Sequence, residues 1–317
     1  MPAMLGVLNT VLPVFLVVGS GYALVRFGRF PEEAVGALMK FAQSVAVPCL
    51  LFMALIRLDL GANFDPGLMV SFYSGALFCF ALGYLAARKG FGRRPGESVA
   101  LGFAALFSNS VLLGLAVTEQ AYGTAALAPN FALIAIHAPF CYLVGITAME
   151  IARADGRSGA ETARIAATAM FRNPISMASA AGLLANVTGL PLPEAAADAA
   201  DMIGRAALPA ALFGLGGVLS RYRIRSTLGE ALTITALSTL VHPAIAFTLS
   251  HHVFALEPGF VRSATIMAAM APGVNAYMFS SMYQRAEGEV ASTVIIATAV
   301  SVVTASGWLW TLDYVLG

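Results

Sequence analysis

Charge is scarce in this sequence. Only 11% of its 317 residues are charged and 59% are hydrophobic, whereas a soluble domain is about 25% charged. A water-wetted surface cannot be assembled from such a composition. Cysteine is also scarce: Cys49, Cys79 and Cys141 fall within apolar stretches, where they read as small packing residues and imply neither disulfide nor metal. No HExxH pattern, paired intramembrane Asp motif or phosphate-cradling glycine loop is present, and Ser20 between Gly19 and Gly21 has no recognisable His–Asp partnership. A membrane-embedded enzyme would lack its machinery, so no catalytic residue, cofactor or nucleic-acid partner is expected.

What remains is apolar and long. Uncharged windows cover residues 1–25, 41–56, 66–87, 98–118, 120–149, 173–193, 206–220, 231–256, 263–284 and 290–312. A helix needs about 20 apolar residues to cross the hydrocarbon, where no water satisfies open backbone groups. Continuous runs rather than two-residue alternation favour helices over barrel strands. The windows predict an all-α integral membrane protein of about ten transmembrane helices. No Lys or Arg precedes the first window, which is longer than a signal-peptide core and is read as a retained helix.

The few charges are unevenly placed. Arg26, Arg29, Arg88, Lys89, Arg93, Arg94, Arg153, Arg157, Arg164, Arg172, Arg221, Arg223, Arg225 and Arg285 fall in alternate loops, leaving Arg57 and Arg262 for the other side. By the positive-inside rule the basic loops face the cytoplasm and both termini lie outside it, in a multi-pass protein of the cytoplasmic membrane.

Landmark residues recur 161 positions apart: Pro13 and Pro174, Gly21 and Gly182, Pro48 and Pro209, Leu51 and Leu212, Phe52 and Phe213. A repeat of five helices, an odd number, must enter the membrane in the opposite sense the second time, which predicts a 5+5 inverted repeat. Residues 1–152 form the first half, 153–172 a cytoplasmic connection and 173–317 the second half. The run Phe213-Gly214-Leu215-Gly216-Gly217 reads as a close helix approach.

Two windows are interrupted midway, by Ser108-Asn109-Ser110 and by Pro272-Gly273-Val274-Asn275. Pro removes a backbone donor, Gly weakens a helix, and Asn and Ser compete for backbone groups. The fourth and ninth helices are therefore expected to be discontinuous. Open backbone in a membrane is tolerable only inside protein or beside a water-filled cavity. Half-helix N-termini there suit a carboxylate, with Asn109, Ser110 and Asn275 adding hydrogen bonds. A channel would give no reason for two such breaks, and no soluble output domain favours a receptor.

Leu12-Pro13-Val14-Phe15, Gly19-Ser20-Gly21-Tyr22, Val47-Pro48, Ser108-Asn109-Ser110 through Gly114, and Pro272-Gly273-Val274-Asn275-Ala276-Tyr277 occur in an order that resembles the auxin efflux carrier family, whose bacterial members are often described as malonate or other organic-acid permeases. The likeness spans nearly the whole chain. It implies crossing fourth and ninth helices, a scaffold and a transport domain, with Asn109 and Asn275 on the substrate carboxylate and Ser108, Ser110, Val274, Ala276 and Tyr277 nearby. A similar crossover occurs in sodium-coupled bile-acid symporters, an alternative reading alongside a non-transporting receptor. No acidic cluster lies beside Asn109 or Asn275, which favours proton coupling or uniport over sodium; a homodimer is compatible with either.

Few other ionisable residues fall inside the windows. Lys40 and its offset partner Asp201 are candidates for a support site, with Arg205 placed to pair with Asp201 at i+4. His137 and His242 are candidates for a proton relay, weighed against hydrogen-bonded packing.

Overall fold

The computed structural model describes residues 4–153, 159–222 and 228–317. Arg157, Arg223 and Arg225 of the basic loops lie outside the described residues. Helices make up the described architecture: α1 (Met4–Arg26), α2 (Glu32–Ile56), α3 (Pro66–Gly90), α4 (Pro95–Leu106), α5 (110–122), α6 (Ala128–Arg153), α7 (Gly159–Arg172), α8 (Pro174–Thr188), α9 (Glu194–Leu219), α10 (Leu228–Val253), α11 (Pro258–Ala268), α12 (Val274–Tyr283) and α13 (Glu287–Leu316).

Seven of the described helical spans are long and apolar enough to cross a membrane. This falls short of the ten expected from the uncharged windows. Two windows are divided, into α4 and α5 and into α11 and α12, and α8 has only 15 residues, about 22 Å at the helical rise. The surface agrees with a lipid solvent: Leu16, Val70, Leu184 and Val303 are exposed while Ser71, Ser98, Thr265 and Ser301 are buried. Such an apolar exterior would be an aggregation hazard in water.

Local sequence explains two of the irregular turns. In α2 a π turn covers Ala42–Ala46 and in α10 another covers Leu237–Val241; each lies just before a proline, Pro48 or Pro243. The missing N–H and the crowded ring force the preceding turn to widen.

Helices α1 and α9 pack along each other, as do α8 and α2. The first pair meets at glycines: a Cβ at Gly216 would fall on the Val18 carbonyl oxygen, and one at Gly21 on the Phe213 carbonyl oxygen. In the second pair Gly182 lies against Phe52, whose carbonyl oxygen would stand 3.0 Å from an added Cβ. Helices α3, α6, α10 and α13 pack around the two broken elements in a second group.

That group is clamped at its basic end. Arg93, between α3 and α4, holds Glu230 of α10 at 2.6 Å and Glu289 of α13 at 2.9 Å. The Glu230 hydrogen bond, helped by the charge of Glu289, outweighs desolvation and raises the Arg93 guanidinium above its ordinary range. A raised folded pKa contributes stability that is complete below the unfolded value and lost only above it. Arg93→Ala, which strands the buried Glu230, is expected to cost about 2–3 kcal/mol, somewhat under the value for a fully buried pair. The deficit should stay flat between about pH 6 and 9, read by thermal unfolding in detergent; an unchanged midpoint would show that the clamp carries no load.

Candidate functional site

The first break follows Leu106, where Phe107 leaves helical geometry with φ −91° and ψ 88°. Helix resumes at Ser110, with the Asn109 side chain capping it by accepting from the Leu112 amide at 3.4 Å. The second break comes from Pro272, which cannot donate and pushes the residue before it out of the helical region. Gly273 then precedes α12 without any side-chain cap.

The two breaks touch. Ser108 and Pro272 form an isolated antiparallel bridge, and the Asn109 amide donates to the Ala271 carbonyl at 2.8 Å. Gly273 lies so close that an added Cβ would stand 3.1 Å from the Asn109 carboxamide carbon. Helices α5 and α12 therefore both begin at the contact, with their positive dipole ends and first-turn amides.

Donors outnumber acceptors at this point. The Ser108 carbonyl accepts from the Ser110 amide at 2.8 Å and from His137 Nε2 at 3.2 Å. The Ser108 and Ser110 hydroxyls satisfy one another at 2.7 Å. Asn109 Nδ2 is different: it is buried and has no hydrogen-bond partner. Because Oδ1 serves the helix cap, Nδ2 must point away from it, as a donor needing an acceptor.

A narrow pocket of about 30 Å³ opens beside Ser108, Asn109, Ser110, His137, Val274 and Asn275. It adjoins a cavity of about 710 Å³ that runs past Asn275, Met278 and Met282 to Arg164 and Arg172 of α7. A second cavity of about 710 Å³ approaches from the opposite side, between α1, α2, α5 and α9. One turn of α5 separates Leu112 of the pocket from Leu115 of that second cavity.

Other residues singled out from the sequence fall elsewhere. Ala276 is fully buried, and Tyr277 packs against Tyr222 with centroids 4.7 Å apart and the rings tilted by 42°; neither lines the pocket, because in α12 they face away from Asn275. Lys40 is exposed on α2, one turn before Ser44 of the larger cavity. Asp201 faces the opposite cavity, so it forms no joint site with Lys40. Its partner is Arg57, held by two bonds of 2.8 and 3.2 Å, rather than Arg205: the end of α2 brings a guanidinium fork up to the carboxylate, a better geometry than an i+4 contact. His242 donates Nε2–H to the Phe72 carbonyl at 3.0 Å, and the Phe72 ring stands between it and His137. His137 does line the pocket. Its Nε2 must carry the proton, since a carbonyl only accepts, which leaves Nδ1 toward Cys141 Sγ at 3.7 Å.

Two polar pocket residues were not singled out from the sequence. Gln43 lies on the π turn of α2, and Asn173 caps α8, its Oδ1 accepting from Ile175 and Ser176 amides at 2.9 and 3.3 Å. The available signals were a lone amide within an apolar window and an Asn-Pro helix start.

Apolar spans around two helix breaks that meet inside the protein define a multi-pass membrane transporter. The chain belongs to the membrane transport protein family, the auxin efflux carrier family, whose model matches residues 6–309. It is 24% identical over 304 residues to a protein of Rhizobium meliloti (strain 1021) named "Putative malonate transporter", covering 95% of this chain and 94% of that one. It is 29% identical over 310 residues to an "Uncharacterized transporter" of Methanothermobacter thermautotrophicus, covering 96% and 98%. Membership in a transport family, with a small-molecule substrate and a membrane setting, sets this chain apart from enzymes.

Proposed function

We propose that this protein is a secondary transporter that carries a small organic carboxylate across the cytoplasmic membrane by alternating access. The observation that carries the reading is Asn109 Nδ2, a buried donor without a partner where two half-helices begin. A carboxylate oxygen would satisfy it, and the converging dipoles favour negative charge. Asn275, Ser108, Ser110 and Val274 border the same space. The name of the Rhizobium relative adds malonate as a first substrate to try.

The transporter is read as ten crossings in a 5+5 inverted repeat, residues 1–152 and 173–317 joined by 153–172. Helical units begin at residues 32 and 95 and again at 194 and 258, shifts of 162 and 163. The contact of Gly21 with Phe213 has its counterpart in Gly182 with Phe52, the same two residue pairs exchanged between halves. Helices α1, α2, α8 and α9 would be the scaffold, and the rest would move against them, exposing the pocket to each 710 Å³ cavity in turn. By the positive-inside rule both termini would lie outside the cytoplasm.

His137, hydrogen-bonded to the crossing backbone, is the residue through which a proton would be coupled. The reading is tested by uptake of labelled mono- and dicarboxylates into proteoliposomes, with and without a pH gradient and sodium. Saturable uptake stimulated by the proton gradient, or indifferent to both gradients, is expected; strict dependence on sodium would reverse the coupling assignment, and absence of uptake by correctly oriented protein would reject the carboxylate carrier.

A further inference from the structure

The pocket at the crossing has about 30 Å³ of space, room for one small group. A carboxylate that reaches Asn109 therefore leaves the rest of its molecule at the junction with the 710 Å³ cavity. Four residues belong to both spaces: Gln43, Asn173, Ile175 and Asn275. Three are primary amides, two of them from α2 and the start of α8, on the side opposite the broken helices.

Each of those two is presented by a local device. Gln43 lies within the π turn ahead of Pro48, an irregularity that re-aims helix side chains and is frequent at functional sites. Asn173 spends its oxygen on two amides of α8, which leaves the Nδ2 donors uncommitted to the helix. Farther along the same cavity come the guanidiniums of Arg164 and Arg172. An apolar substrate end would strip water from these amides without replacing its hydrogen bonds, whereas a second carboxylate would replace them and gain from the positive potential beyond.

We infer that Gln43 and Asn173 are specificity-determining residues that bind a second carboxylate, so that the site selects short dicarboxylates over monocarboxylates of equal length. The inference rests on the carboxylate-carrier reading above. A dianion would lie with one end at the crossing and the other against α2 and α8, bridging the two helix groups.

The test is uptake by the full-length protein in proteoliposomes, using labelled malonate and succinate against propionate and butyrate. Native protein is expected to favour the dicarboxylate of each pair by tenfold or more in uptake efficiency. Gln43→Met keeps side-chain length without the amide; Asn173→Asp keeps the helix cap but replaces the donors with a like charge. In each variant the preference ratio should fall at least tenfold, with the residual monocarboxylate uptake showing that the protein is folded. A ratio unchanged in both variants, or a native protein without preference, would overturn the inference while leaving the carrier reading intact. No uptake of any acid by folded native protein would instead remove the carrier reading itself.

Discussion

Asn109→Ala should lower carboxylate uptake by one to two orders of magnitude. The buried Nδ2 donor has no partner in the protein, so its hydrogen bond to an ionised substrate oxygen is gained only on binding, and such bonds are worth about 1.5–3 kcal/mol, roughly 10- to 150-fold in affinity. The same substitution also removes the cap on α5, which costs about 1 kcal/mol of stability. The two losses are separable. Serine keeps an oxygen for the cap and lacks the second donor, so Asn109→Ser should recover the melting temperature without recovering uptake. A Ser variant that transports like the native protein would mean that Asn109 only holds the helix start.

A second large effect is expected far from the pocket. Gly216→Ala places a methyl group on the Val18 carbonyl oxygen, with the Tyr22 amide also in its way. Backbone atoms cannot swing aside as a side chain would, so α1 must move away from α9 along its length. The loss should reach at least about 3 kcal/mol, the upper end of ordinary overpacking, with little monodisperse protein recovered in detergent. Gly307, whose added Cβ meets nothing within 4 Å, is the control: alanine there should be neutral or gain up to about 1 kcal/mol of helix propensity. A Gly216→Ala variant as stable as native protein would contradict the crossing geometry.

Both effects begin from residues visible in the sequence, and they differ in what could be read there. The Gly-rich run at 213–217 announced a close approach, because only small residues let helix backbones meet; its partners Val18 and Tyr22 were not legible, since nothing local encodes which helix arrives. The helix breaks were legible because proline, glycine and short polar side chains act on their own backbone. Their meeting at Ser108 and Pro272 was implied by family resemblance alone. The pairing of Asn109 with Asn275 was legible only as two similar residues 166 positions apart; in space Gly273 abuts the Asn109 side chain and Asn275 borders the same pocket.

Composition by itself determined that this protein is helical and lives in lipid, because apolar windows and scarce charge leave no other solvent and no other backbone pairing. It also marked where helices would open, a local matter of missing donors and competing side chains. The tertiary structure decided the rest: that Asp201 pairs with Arg57 rather than Arg205, that Tyr277 turns away to Tyr222, and that Gln43 and Asn173 border the pocket. Each of these depends on the rotation of one helix about its axis relative to another, a quantity set by packing between segments distant in the chain and carried by neither segment alone.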